Sequence, residues 1–442
     1  MSTNTVAKPN KIEHIYFLNP TKNIGGNEIA FANVAKELSQ SHPEIAIHII
    51  DYKDGKMKEV MEKSDLPFTL EQYKKHTKID TQENSIILLS SHLYRMLPYN
   101  EFLNETLNSN NDARLLLWNI DCTSYIPPFR YAGLILQKIG YINFQKFLNP
   151  ILPLLYWRQF KHMKRSYQSV FDKNGCVHMS DIQANSLKKA LNIEFNEKII
   201  PVTSPPSLYK KTSIETKEDN FQFTWIGRLE GSKYYSAINT CHQINSWAKR
   251  QNKKVTLTII GSGTKSHKLE HDITPFKQIT IRHVGGLYGW ELNQFLTEET
   301  DILFAVGMSM LEGCKTKTPT AFSSTDFTKK FTKNFTFFFT ETSKGSLGAY
   351  SNSKENTKLT DLDNLMQQYT QEGAQEIADM CYRVYLENFS PEYVGREIFE
   401  AMNSTTLTIA DLEKSNLYKK SLSEKTAIWI VERIKKIIRR SS

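Results

Sequence analysis

The chain has 442 residues, about three times a common ~150-residue domain, so two or three domains are expected; its 40% hydrophobic and 11% aromatic content excludes disorder throughout. Five cysteines (Cys122, Cys176, Cys241, Cys314, Cys381) are scattered without CxxC spacing, which argues against both a disulfide framework and a zinc site. The formal charge of +9 is concentrated at one end: residues 419–442 carry eight basic and two acidic side chains, leaving +3 on the other 418, too little for a nucleic-acid-binding body.

The opening MSTNTVAKPNK is polar. The longest apolar run, 147–157, is broken by Asn149, Pro150 and Pro153 and is too short to span a bilayer, so neither a secretory leader nor a membrane span is expected. A first strand at 12–18 leads into Gly25 and Gly26. A helix at 27–40 follows, with Ile29, Phe31, Ala32, Val34, Ala35 and Leu38 on one face. Glycines there let backbone N–H groups approach a ligand at an electropositive helix start; an ordinary βα turn is the plainer account. The pair is not GxGxxG, so a dinucleotide fingerprint is absent. Further strands are expected at 45–50, 85–90, 114–118, 175–179 and 198–202. His92 and Asp121 each follow one of these strands and are the acid–base candidates of the first half, with helix capping or an ion pair as the blander role for Asp121. Residues 131–167 break the rhythm, mixing aromatics, Leu and Ile with scattered Lys and Arg. Residues 204–220 (SPPSLYKKTSIETKEDN) read as an interdomain linker.

The alternation of short apolar runs and helical patterns then restarts, with strands at 222–226, 255–261, 279–284 and 301–306, as expected of a second parallel sheet. Arg228 and Lys233 lie just past the first of these, in a glycine-bearing loop. Two cations so placed can clamp a diphosphate without a metal; a solvated basic loop is the alternative. The second strand ends in IIGSG, where Gly261 and Gly263 make a tight turn that lacks P-loop spacing. The fourth ends near Val306, and Gly307-Met308-Ser309 turns into a helix carrying Glu312. The amides of such a helix start bind phosphate, and Glu312 can accept from ribose hydroxyls. The competing account is that Ser309-x-x-Glu312 is a capping box. Asp361-Leu362-Asp363 superficially matches a metal-binding DxD, but its place before a late helix favours N-capping.

Taken in order, the Gly-Gly loop, the linker, GR-x4-K, IxGxG and a strand–turn–helix with Glu312 seven residues before Pro319 resemble the family-4 glycosyltransferases of the GT-B fold. The resemblance covers roughly residues 12–400 and is strongest over 223–319. It extends to EIADMCYRVYLENFSPEYVGREI, which looks like the family's closing helices, with Phe389-Ser390 before the last. It implies two Rossmann-like doubly wound α/β domains with a cleft between them. By resemblance, Arg228 and Lys233 hold the donor diphosphate, Glu312 the ribose, and Gly25–Gly26 face the phosphates from the opposite lobe; Gly261, Gly263, Met308 and Ser309 complete the donor set. The family transfers a sugar from a nucleotide-sugar, usually with retention and without a metal, so no cofactor is expected. Two departures stand out: the first of the family's two glutamates, eight positions before the second, is Phe304 here, and the glycine usual two before the proline is Lys317.

The domain division expected from this reading is 1–205 (acceptor), 206–395 (donor) and 396–442 (closing helix and basic amphipathic tail). In the tail, Ile428, Val431, Ile434, Ile437 and Ile438 recur at helical spacing among Arg433, Lys436, Arg439 and Arg440, which suits a helix lying on an anionic membrane or packed on a domain. The function expected is transfer from a nucleotide-sugar donor to a glycan or lipid-linked acceptor of bacterial surface polysaccharide, at the cytoplasmic face of the membrane, with no nucleic-acid partner. The alternative is a non-catalytic GT-B-like subunit that binds a partner enzyme or a glycan.

Overall fold

A computed structural model describes residues 11–22, 26–64, 66–74, 78–90, 107–108, 113–120, 157–325, 335–340, 344–348 and 359–414. Gly25, His92, Asp121, residues 131–156 and the basic tail lie outside the described residues. The first sheet is built from β1 (His14–Leu18), β2 (Ala46–Asp51), β3 (Thr69–Gln72), β4 (Ser85–Ser90), β5 (Arg114–Asn119) and β6 (Cys176–His178), in the order β3-β2-β1-β4-β5-β6 and parallel throughout. Strands such as SIILLS, buried along their whole length, fit a parallel sheet covered on both faces. Helix α1 (Gly26–Ser41) buries Phe31, Val34, Ala35 and Leu38, and the Phe31 ring lies 5.5 Å from Trp118 of β5. Helices α2 (Lys56–Glu62), α3 (Trp157–Phe171) and α4 (Asp181–Leu191) also belong to this half.

The expected strand at 198–202 does not form. Ile199 makes one bridge to His178, and Pro201, with no N–H to give, ends the pairing. The chain then crosses to a second sheet made of β7 (Phe221–Ile226), β8 (Val255–Ile260), β9 (Thr280–His283), β10 (Ile302–Ala305), β11 (Thr320–Ser323) and β12 (Phe335–Phe337). Their order is β9-β8-β7-β10-β11-β12, with only β12 antiparallel to its neighbour. Helices α5 (Gly231–Gln251), α6 (Ser266–Ile273), α7 (Gly289–Glu299), α8 (Ser309–Lys315), α9 (Leu362–Glu372) and α10 (Ala374–Asn388) belong to this half. The segment 204–220 is no free tether: the Lys211 amide donates to Thr316 O (3.0 Å), and Lys217 pairs with Asp301 (2.8 Å).

Helix α11 (Pro391–Ser404) returns to the first half. Ser390 is its N-cap, accepting from the Tyr393 amide, and Pro391 occupies the first turn, where its missing N–H costs nothing. The helix packs on α1, with the Phe399 ring stacked 3.9 Å from His42; beyond it the Leu115 amide of β5 donates to Leu407 O. The chain therefore crosses between the halves twice, and the crossings touch: the Thr203 hydroxyl donates to Phe389 O (2.7 Å) and the Tyr385 hydroxyl to Ser204 O (2.9 Å).

In both sheets the strand order reverses at the first strand, β1 or β7. Loops leaving a parallel sheet at such a switch point diverge to opposite faces and open a crevice beyond the carboxyl ends of the strands. Gly26, at the start of α1, follows β1 in the chain. Arg228 and Lys233 follow β7, and Gly307 follows its neighbour β10.

Candidate functional site

The loops leaving β7 and β8 pack backbone to backbone. Gly227 donates to Ile260 O, Leu229 to Ser262 O and Lys265 to Leu229 O. Only glycine fits two of these positions: a methyl group on Gly261, whose φ is +151°, would lie 1.9 Å from Gly227 O, and one on Gly263 2.7 Å from Leu229 O. This close approach is the structural reason for the IxGxG turn. It brings the loop ends to the start of α5, where Gly231 takes a φ of +51° and Glu230 at the N-cap makes no side-chain cap.

Lys233 sits in the first turn of α5. Its Nζ lies 3.5 Å from where a methyl group on Gly307 would stand, so the loops after β7 and β10 meet at this ammonium. The Lys233 side chain makes no hydrogen bond or ion pair among the described residues. Burial, and then the charge of Arg228, push its pKa down from 10.5 to about 8, against a smaller pull from Glu230. Arg228 is exposed and pairs with Glu230 at 2.8 Å; a pair so open to solvent is weak and exchangeable.

Across the crevice, a methyl group on Gly26 would meet Met308 Sδ at 2.9 Å. The starts of α1 and α8 therefore touch, and the predicted residues Gly26, Met308 and Lys233 are gathered around the Gly307 turn. That turn spends its own amides: Gly307 donates to Leu347 O, Met310 to Gly307 O and Leu311 to Met308 O. A full phosphate cradle at this helix start, as the sequence suggested, is therefore not available. The Met308 and Ser309 amides are left without a bond among the described residues. The strap carrying Leu347 also touches the first half, where the Asp181 amide donates to Lys344 O and Gly345 (φ +73°) passes against Met179 O.

The capping-box alternative for Ser309 and Glu312 fails. The N-cap is Met308, in helical conformation and without a side-chain cap, because the turn is too tight to place Ser309 ahead of the helix. Glu312 reaches two other partners. Its Oε2 lies 2.8 Å from Lys315 Nζ, and its Oε1 accepts from the Ser204 hydroxyl at 2.9 Å. Lys315 is 4% exposed and also donates to Ser204 Oγ (3.2 Å). Neither partner was singled out from sequence. Lys315 stands at the i+3 spacing that signals a helix pair, whereas Ser204 falls in a segment whose composition reads as linker.

Phe304, at the position of the family's first glutamate, is a fully buried residue of β10, ring to ring with Phe223 and Phe335. No acid stands in its place along 304–311 (FAVGMSML). Lys317, where the family favours glycine, keeps the left-handed backbone (φ +56°) and is held by Asp379 at 2.8 Å. Asp361 caps α9 by accepting from the Asn364 amide, as N-capping predicts, and Asp363 pairs with Arg250. Among the described residues no helix is long and apolar enough to cross a membrane.

No family model matches the sequence, and no curated protein matches it. Solved structures do. A glycosyltransferase from Rickettsia africae matches with a TM-score of 0.51 and 13% identity over 89% of this chain and 98% of its own. TarM matches with a TM-score of 0.52 and 11% identity over 90% of this chain and 100% of its own. A point mutant of S. aureus TarM, in complex with fondaparinux, α-GlcNAc-glycerol and UDP, matches at 0.40 and 13% over 84% of this chain, which spans 58% of that protein's length. At such identities the likeness is one of fold: two six-stranded α/β sheets in the GT-B arrangement of glycosyltransferases.

Proposed function

We propose that the chain is a glycosyltransferase that moves a sugar from a nucleoside-diphosphate donor to a glycan or lipid-linked acceptor of bacterial surface polysaccharide. The observation that carries this reading is Lys233, a desolvated ammonium without a carboxylate partner among the described residues, held where the loops after β7 and β10 meet at a switch point. A structural lysine so placed would be expected to pair. One left open is suited to an anionic ligand that arrives.

In the proposed mechanism, transfer builds negative charge on the departing nucleoside diphosphate. Lys233, Arg228 (freed from its solvent-exposed pairing with Glu230) and the start of the 21-residue α5 supply positive charge there without a metal. The bound diphosphate favours the protonated lysine, raising its pKa and keeping the charge in place at neutral pH. Glu312 holds the ribose. The acceptor hydroxyl enters from the first half and attacks the anomeric carbon on the same face from which the diphosphate leaves, so configuration is retained. The C–O bond to the diphosphate breaks as the new one forms, and the hydroxyl proton passes to Asp121 or His92, the proposed acid–base groups. The tail 419–442 is proposed to rest on the anionic inner face of the membrane. Deleting it should reduce recovery in the membrane fraction, and unchanged recovery would refute that placement.

The test of the phosphate clamp is transfer by Arg228→Ala and Lys233→Ala. Both are expected to lose turnover while remaining folded, and near-normal turnover in both refutes it. One feature favours a second reading, a non-catalytic subunit: the stretch 304–311 has no carboxylate to read the donor sugar. Nucleotide binding without transfer, until a partner glycosyltransferase is added, would decide for it.

A further inference from the structure

We infer that Lys315 and Ser204 are positioning residues that set Glu312 from behind for a ribose diol; this rests on the donor-site reading above. Glu312 projects from α8 with both carboxylate oxygens already held, Oε2 by the Lys315 ammonium at 2.8 Å and Oε1 by the Ser204 hydroxyl at 2.9 Å. Lys315 also donates to Ser204 Oγ, so the three side chains close a ring of hydrogen bonds. A carboxylate offers about four lone-pair sites, roughly two per oxygen. Each oxygen of Glu312 therefore keeps about one acceptor site, and two parallel acceptors suit two neighbouring hydroxyls. The exposure gradient points the same way: the Lys315 side chain is 5% exposed and that of Glu312 is 21% exposed. The cation is sealed behind the acid, and the acid opens outward.

Burying an ammonium is costly, and a buried pair stabilises a fold less than apolar residues of similar size. Lys315 is thus poorly explained as a stabilising residue. It is well explained as the group that holds a carboxylate in one rotamer. Ser204 adds reach, because its carbonyl accepts from Tyr385 and its neighbour Thr203 bonds Phe389, at the two crossings between the halves. The ring therefore fixes Glu312 to the crossings that link the sheets.

The test is calorimetric titration of the full chain with UDP, GDP, ADP and CDP, each beside its 2′,3′-dideoxy counterpart. Losing two hydrogen bonds to a charged acceptor should weaken binding to the wild type on the order of 100-fold or more. Lys315→Met and Ser204→Ala are expected to bind a nucleotide and its dideoxy counterpart within about threefold of each other, and Lys315→Arg to restore most of the preference. Ser204→Ala serves where Lys315→Met fails to fold. A wild-type ribose preference retained in both Lys315→Met and Ser204→Ala overturns the inference. A wild type that binds diphosphates equally with and without ribose hydroxyls overturns it and leaves the phosphate clamp standing. A wild type that binds none of the eight overturns the donor-site reading as well.

Discussion

Replacing Lys233 with Met should make the free protein more stable and at the same time destroy its response to nucleotide. The lysine's pKa falls from 10.5 to about 8, first through burial and then through Arg228. A shift of that size is worth ~3 kcal/mol against the charged form at neutral pH. Because the side chain lies beside an open crevice, screening reduces the usable part to about 1–2 kcal/mol. Methionine keeps the apolar stem and removes the charge, so Lys233→Met is expected to gain about that much. In a domain of this size the gain corresponds to a melting-temperature rise of a few degrees. The pH dependence has a definite sign. With a folded pKa below the unfolded one, the unfolded chain binds more protons between about pH 8 and 10.5, so wild-type stability rises with pH across that window. The advantage of Lys233→Met should therefore be full at pH 7 and shrink as pH rises through 8 toward 10. Thermal unfolding at pH 7 and pH 9.5, with and without nucleoside diphosphate, measures all of this. A variant less stable than wild type at pH 7 that still shifts fully with nucleotide would refute the reasoning, since the lysine would then be an ordinary structural residue.

Two further substitutions probe the frame around the site. Gly261→Ala drives a methyl group to within 1.9 Å of Gly227 O at a φ of +151°. It should cost several kcal/mol and abolish nucleotide response by parting the loops after β7 and β8, so an Ala variant melting within a degree of wild type would contradict this packing. Lys317→Gly relieves a left-handed backbone worth ~1 kcal/mol and gives up a half-exposed pair with Asp379 worth less. A small gain in urea midpoint is expected, and a loss above about 1 kcal/mol would show that the pair dominates.

Much of the architecture was legible because it depends on short-range patterning. The central strands of both sheets, α1 with its apolar face, and the cap at Asp361 follow from periodicity and residue chemistry. The strand expected at 198–202 failed because pairing there depends on a neighbour, His178, and on Pro201, not on apolar content alone. Strands β3, β11 and β12 are brief or sit at or next to a sheet edge, and they carry little pattern of their own. At the site, the sequence named Gly26, Lys233, Met308 and Glu312 but had no means of showing that the first three gather around the Gly307 turn. Reading Ser309-x-x-Glu312 as a capping box was reasonable from spacing. It failed because the tight Gly307 turn starts the helix one residue too early and Lys315 claims the acid. Ser204 was hidden by its composition: a Ser-Pro-Pro segment reads as linker, yet this serine is 1% exposed and bonded to Glu312.

The central claim is that the crevice around Lys233 takes a nucleoside diphosphate. A thermal-shift screen of the full chain against UDP, GDP, ADP and CDP tests it most directly, because a ligand that binds only the native state raises the melting temperature by mass action. A clear shift with one diphosphate, lost in Lys233→Ala, is the predicted result. No shift with any of the four at millimolar concentration would contradict it.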